Sequence, residues 1–255
     1  MKALSLYQDR GTFVHRVDSR SKLLYILAAI LIPAVLPGFA PGLAMLLLSL
    51  LILTAGRVLR KVVPLVGFSL LILVSIVLIQ GLFYSGNRQL LFSLWHVGFY
   101  REGLLFSAAI CLRVLNILCA VSILVLTTRP SDLIESLVRL GLSPHLGYVL
   151  SSVLQIIPQM TATMETITDA QRSRGMETEG RLLVRMKAFL PLIGPVVMNS
   201  LVSTRERSLA LEVRAFSSRS KKTFLNEPQG GLCNRLLPVV LLLAMVAAVG
   251  WRVLQ

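Results

Sequence analysis

Acidic residues are scarce in this sequence. Asp and Glu number 12 among 255 residues, against 26 Lys and Arg, which gives a formal net charge of +14. No carboxylate falls in the centre of a long apolar run, and this removes the intramembrane acids that ion-coupled transport ordinarily uses. Cysteine is confined to Cys111, Cys119 and Cys233. Without a C-x-x-C pair these supply no metal framework, and the first two, inside an apolar run, act as small apolar residues. His15, His96 and His145 are scattered and no H-E-x-x-H occurs, so a metalloprotease is excluded and no metal ligand is assigned. A G-x-x-x-x-G-K-[ST] phosphate loop is also missing, so any ATP used must be bound by another chain. Asp18, Asp132 and Asp169 have no convergent partners and act as caps, turn residues or ion-pair partners rather than general bases. Ser131-Asp132-Leu133 after Pro130 is a helix start. No catalytic residue is assigned.

What the chain has in abundance is apolar sequence. It is 55% hydrophobic and 15% charged, with a mean hydropathy of +0.76, and its apolar runs are long enough to cross a bilayer. The fold class is therefore all-α, a polytopic membrane helix bundle. Five spans are expected: Lys22 to Leu36 and Phe39 to Ala55, separated by Pro37-Gly38, then Val62 to Phe83, Gly103 to Thr127 and Leu236 to Val253. The first two are short and need tilt or interfacial flanks. The basic residues sit between spans, without aromatic interleaving, so they hold topology at the bilayer and do not mark a nucleic-acid surface.

Lys2, Arg10, Arg16, Arg20 and Lys22 precede the first span, Arg57, Arg60 and Lys61 follow the second, and a dense basic set lies between Arg129 and Arg235. The positive-inside rule then places the N-terminus, the Arg57 turn and the Arg129 to Arg235 region in the cytoplasm of a cell bounded by this inner membrane, with the C-terminus outside. About twenty residues, most of them polar or charged, precede the first apolar run and no A-x-A-like site follows it, so the N-terminus is expected to be retained. The domains expected are an N-terminal membrane bundle at 1–127, a cytoplasmic coupling-helix region at 128–234 and a C-terminal transmembrane helix at 235–255.

The middle region is the informative one. From His145 to Arg174, Leu146, Val149, Val153, Ile157, Met160, Met164 and Ile167 recur at three- and four-residue steps, while Ser152, Gln155, Gln159, Thr163 and Thr166 fall opposite. This is an amphipathic helix of roughly 45 Å, with Pro158 expected to kink it and Gly175 suited to its left-handed C′ position. A second helix is expected from Leu182 to Phe216, bent near Pro191 and Pro195. The two end in related signatures, Arg172-Ser173-Arg174-Gly175 and Glu212-Val213-Arg214-Ala215-Phe216. A cation at a helix C-terminus complements the macrodipole by about 0.3–1 kcal/mol. Two such ends in one region also offer guanidinium groups that can hydrogen-bond in the groove of a soluble partner. Met160, Met164, Met176 and Met186 pack these helices or let a docking surface repack.

With these residues the chain resembles the transmembrane T component (EcfT/CbiQ-like) of energy-coupling-factor ABC transporters, ATP-driven importers of vitamins and of cobalt or nickel ions. The likeness runs from His15 to about Phe216. His15-Arg16-Val17-Asp18-Ser19-Arg20-Ser21-Lys22-Leu23-Leu24 is similar to the family's N-terminal signature, Glu102-Gly103-Leu104 precedes a span as there, and Thr127-Thr128-Arg129-Pro130-Ser131-Asp132-Leu133 is similar to the segment entering the cytoplasmic region. The family's two Ala-Arg-Gly-type motifs carry over onto Ser173-Arg174-Gly175 and Val213-Arg214-Ala215, where Ser173, Val213 and Ala215 depart from the pattern. The resemblance implies two cytoplasmic ABC-type ATPase subunits that bind ATP and Mg, docked through Arg172, Arg174, Gly175, Glu212, Arg214, Ala215 and Phe216. It also implies a membrane-embedded S component that captures the solute.

Arg113 lies inside the fourth span one helical turn from Asn116. Polar residues so placed ordinarily face the bundle interior or a wet cavity, and the pair is assigned as a structural polar clasp, with Glu102 as a candidate partner and Gln80 as a further interhelical donor. Two rival functions are weighed. A membrane-embedded, lipid-acting enzyme needs a convergent acid, base or metal site, and a self-contained secondary transporter needs a repeat and acids within its spans. The sequence supplies neither set.

Overall fold

The computed structural model describes residues 11–36, 38–84, 90–94, 97–175, 182–218, 223 and 232–254, with only the backbone described at 90–94, 97–99, 182–191, 232–233 and 235. Lys2, Arg10, Pro37, His96 and Met176 lie outside the described residues, as do the side chains of Met186, Pro191, Cys233 and Arg235.

The helices are α1 (Phe13–Arg16), α2 (Ser19–Val35), α3 (Ala40–Ala55), α4 (Leu59–Phe83), α5 (Arg101–Thr127), α6 (Pro130–Arg139), α7 (Pro144–Ser173), α8 (Leu182–Val213) and α9 (Leu232–Leu254). A short antiparallel hairpin, β1 (Leu90–Leu94) with β2 (Val97–Tyr100), joins α4 to α5. It is a small addition to an otherwise helical membrane fold. By length and composition α4, α5 and the Leu236–Leu254 part of α9 can cross a bilayer. The first two expected spans are the 17-residue α2 and the 16-residue α3, each about 25 Å long at 1.5 Å per residue.

The chain forms two compact units whose division falls within α6. The described residues of one lie within Val138–Leu225, and those of the other within Ser5–Leu137 and Asn226–Gln255. In the second unit α5 packs against α2, α3 and α4, while α2 packs also against α9. Its core joins Tyr25, Ala28 and Ala29 of α2, Met45 and Leu53 of α3, and Cys119, Ala120 and Ile123 of α5. Small residues permit this close approach. A Cβ on Gly42 would overlap the Leu112 side chain, so α3 meets α5 there with nothing to spare.

Polarity in this unit runs opposite to a water-soluble core. Ser49, Ser107 and Asn116 are wholly buried, whereas Phe68 is 80% exposed, Leu71 75% and Phe83 81%. In hydrocarbon, burial of apolar surface gives no association force, so van der Waals fit and interhelical hydrogen bonds hold the helices together. Asn116 Nδ2 donates to Ala29 O at 2.8 Å, tying α5 to α2. The Ser49 hydroxyl lies 2.7 Å from Tyr25 OH, 2.9 Å from Met45 O and 3.3 Å from Asn116 Oδ1. Ser49 has one proton, so Tyr25 donates to Ser49, which donates in turn to Met45 O or to Asn116 Oδ1. Three helices thus share one buried polar chain.

Candidate functional site

Helices α7 and α8 form their own pair. α7 is entered through Ser143, whose hydroxyl accepts from Leu146 N–H at 3.3 Å, with Pro144 in the first turn, the position where a missing N–H costs nothing. It continues as one helix through Pro158, and α8 likewise through Pro191 and Pro195. The pair meets partly through polar residues. Arg207 donates to Gln159, and Gln159, Thr163, Asn199, Ser203, Thr204 and Arg207 border a cavity of about 90 Å³ between the helices. The apolar stripe of α7 is left uncovered: Leu146 is 55% exposed, Val149 54%, Val153 48% and Ile157 42%. Periodicity identifies that stripe correctly, but in this chain it faces outward rather than into a core.

The two helix ends share one geometry. At the end of α7, Arg174 is the C-cap, Gly175 takes φ +86°, and Gly175 N–H donates to Arg172 O at 2.9 Å. At the end of α8, Ala215 takes φ +53°, Ala215 N–H donates to Glu212 O at 2.9 Å and Phe216 N–H to Leu211 O at 3.0 Å. Those last two bonds are the paired reverse contacts of a Schellman cap. Arg174 and Arg214 therefore occupy equivalent positions, each directly before a left-handed residue that turns the chain away. Glycine adopts that conformation freely, whereas alanine does so against a cost of roughly 1–2 kcal/mol, so packing must hold the second end. Phe216 provides it. Its ring meets His145 edge-on at 5.2 Å and Tyr148 at 5.3 Å, closing the end of α8 onto the start of α7.

Phe216 is accordingly half-buried within the pair, while Arg172, Arg174, Gly175, Glu212, Arg214 and Ala215 are exposed. Arg172 pairs with Asp169 at 3.9 Å. Neither Arg174 nor Arg214 forms an ion pair or side-chain hydrogen bond among the described residues. Because Phe216 anchors the end of α8 beside Tyr148, and Arg174 lies about 26 residues further along α7, the two arginines are separated by on the order of 40 Å of helix. The two basic ends do not form one patch. They stand at opposite ends of the pair.

Arg113 and Asn116 are not brought together. Asn116 is fully buried in the polar chain, and Arg113 is exposed on the outer side of α5. Three residues turn a helix by about 300°, leaving 60° between the two directions, enough for one to face α2 and the other the surface.

Lys22 is the residue that charge counting undervalues. Counted above as a topogenic charge, it is only 5% exposed, and its Nζ donates to Thr127 O at 3.0 Å and Thr128 Oγ1 at 3.2 Å. These are acceptors at the C-terminus of α5, where carbonyls lack helical partners. Four residues earlier, Asp18 caps α2 by accepting from Arg20 N–H at 3.5 Å, and its own N–H donates to Asn234 Oδ1 at 3.3 Å. The His15 to Leu24 segment thus fastens the beginnings of α2 and α9 to the end of α5. The sequence signal was available: Lys22 lies on the same helical face as Tyr25 and Ala29, at the three- and four-residue steps of a buried stripe.

Long apolar helices around a buried polar chain, together with a separate helix pair ending in two capped arginines, define a multi-pass membrane protein. The family described as cobalt transport protein, CbiQ, matches residues 10–224. The chain belongs to the CbiQ family, as an EcfT/CbiQ-like T component. Among its relatives, the energy-coupling factor transporter transmembrane protein EcfT of Lactococcus lactis subsp. cremoris is 28% identical over 260 residues, covering 96% of each chain. The same-named protein of Brevibacillus brevis is 31% identical over 264 residues, covering 98% of each, and that of Acidaminococcus fermentans is 29% identical over 260 residues, covering 95% of this chain and 94% of its own. The resemblance carried by the His15 and Thr127 segments and the arginine-bearing ends is a family membership spanning nearly the whole chain.

Proposed function

We propose that this chain is the coupling subunit of an energy-coupling-factor importer of vitamins or transition-metal ions. In this reading two cytoplasmic ABC-type ATPase subunits, which bind ATP and Mg, dock at the arginine-bearing ends of α7 and α8. The exposed apolar stripe of α7 contacts a membrane-embedded S component. Closing and reopening of the ATPase pair changes the relative populations of two arrangements of α7 and α8, and the capture subunit moves with them. The chain itself performs no covalent chemistry, and the solute is chosen by the capture subunit. The positive-inside distribution supports an inner-membrane location with the N-terminus in the cytoplasm.

The observation that carries the reading is the matched C-cap geometry of Arg174 and Arg214, exposed and far apart along the pair. Two separated ends suit two partner subunits, one apiece. Arg174→Ala and Arg214→Ala should each weaken ATPase attachment while leaving membrane insertion intact, and the double variant should lose it. An interfacial arginine anchor is worth about 2 kcal/mol or more, against at most about 1 kcal/mol for a cation that only complements the helix dipole. The measurement is pull-down of both ATPases together with solute uptake at matched expression. Full retention of both in the double variant would sink the proposal.

A further inference from the structure

Arg113 carries an inference of its own. It is the thirteenth residue of the 27-residue α5, within about 3 Å of the midpoint of the apolar stretch from Gly103 to Thr127 at 1.5 Å per residue. The hydrocarbon half-thickness is about 15 Å. A fully extended arginine side chain reaches roughly 7 Å from its Cα, so snorkelling leaves the guanidinium well short of either headgroup region. The residue is nonetheless exposed, with Phe106 (42%) and Val121 (41%) exposed about 20° and 80° from it around the helix. Its side chain makes no hydrogen bond or ion pair among the described residues. An arginine at the centre of a membrane helix is costly to insert, and such residues ordinarily face a counter-charge, backbone carbonyls or a wet cavity.

None of the 12 acidic residues lies in the middle of an apolar run, so the spans of this chain offer no counter-charge at that depth. A second copy would only oppose one Arg113 to another. We propose that the outer face of α5 running through Phe106, Arg113 and Val121 is the docking surface for a transmembrane helix of a different polypeptide, one that presents an Asp or Glu side chain near mid-membrane. The guanidinium then gains a charge-assisted, two-pronged hydrogen-bonded pair in a medium where no water competes for it. This rests on the reading above that the chain works with a membrane-embedded partner, and it adds a further contact with that partner and the charge it carries.

The test uses the full complex purified from its own membrane. Arg113→Leu should insert at least as well as the parent and keep both ATPases, yet lower retention of the membrane partner tenfold or more, with Arg113→Lys recovering part of it. In a second arm, benzoylphenylalanine at Val121 in the otherwise unaltered chain should cross-link to a membrane polypeptide that has a carboxylate within an apolar span. Converting that carboxylate to the amide should abolish the cross-link, as Arg113→Leu should. Unchanged partner retention in Arg113→Leu overturns the proposal, as do cross-links confined to lipid, to this chain or to a second copy of it. If Arg113→Leu fails to accumulate, the cross-linking arm decides alone. Loss of ATPases in the Arg174 and Arg214 variants tests the coupling reading separately, because Arg113→Leu is expected to leave them bound.

Discussion

Replacing Lys22 by methionine isolates what a buried ammonium contributes where three helices are fastened together. The parent side chain gives two hydrogen bonds, to Thr127 O at 3.0 Å and to Thr128 Oγ1 at 3.2 Å, and lies 5% exposed at the negative end of the α5 dipole. Charge-assisted hydrogen bonds contribute about 1.5–3 kcal/mol each, and a partly buried cation at a helix C-terminus up to about 2 kcal/mol. Against this stands the desolvation of the ammonium, several kcal/mol in magnitude, which methionine avoids. What methionine leaves behind is neutral, a carbonyl and a hydroxyl, so the net loss should be that of buried acceptors, about 1–3 kcal/mol. It should fall short of the 3–5 kcal/mol typical of stranding a buried charge. Lys22→Glu reverses the sign against the same carbonyl and should cost more than Lys22→Met. Thr128→Val removes one acceptor only, and a Lys22→Met/Thr128→Val cycle should give a coupling of about 0.5–1.5 kcal/mol. Denaturant unfolding of the purified protein in mild detergent measures all four. If Lys22→Met unfolds within 0.5 kcal/mol of the parent, a threshold of roughly the ordinary surface-mutation scatter, and Lys22→Glu does no worse, the fastening role is wrong.

Other consequences are as specific. Ser49→Ala and Asn116→Ala should each destabilise the bundle, with a coupling of about 0.5–1.5 kcal/mol in a double-mutant cycle, the range found for hydrogen bonds between membrane helices; additive effects would break the proposed polar chain. Ala215→Gly should stabilise the end of α8 by roughly 0.5–1 kcal/mol, the left-handed strain relieved less the added freedom of the unfolded chain, and amide exchange at Phe216 should slow. A cysteine at Ser218, in a background lacking the three native cysteines, should resist an impermeant reagent applied to intact cells, since it lies in the most basic connection; labelling from outside would invert the topology.

Helix existence was legible because apolar periodicity and its interruptions have local causes. The predicted boundaries at Ala55, Phe83 and Thr127 coincide with the observed helix ends, and His145 to Arg174 is displaced by one residue from the observed Pro144–Ser173. Gly175 announced its own role, as the residue type that turns left-handed without strain. Directions around a helix were less legible. Arg113 and Asn116 share a turn and differ by 60°, and only the positions of α2 and α3 decide which is inside. The β1–β2 pair sits in a connection with few charges, and its pairing had no signature in the apolar periodicity. Phe216 looked like a docking residue because it follows Arg214. Its contact with His145 and Tyr148 spans about seventy residues of chain and had no local signature.

The same contact explains how an imperfect cap can serve. At α7 the left-handed position is filled by glycine, so the turn away from Arg174 is stable by backbone preference alone. At α8 it is filled by alanine, and the turn depends on Phe216 reaching the start of α7. One arginine is therefore positioned by its own helix and the other by the α7–α8 contact. Separating α8 from the start of α7 would remove the ring contacts and leave the Ala215 strain uncompensated, disturbing Arg214 while Arg174 kept its place. The two ends, alike in shape, should respond unequally to any motion within the pair, and the Ala215→Gly variant should make them more alike.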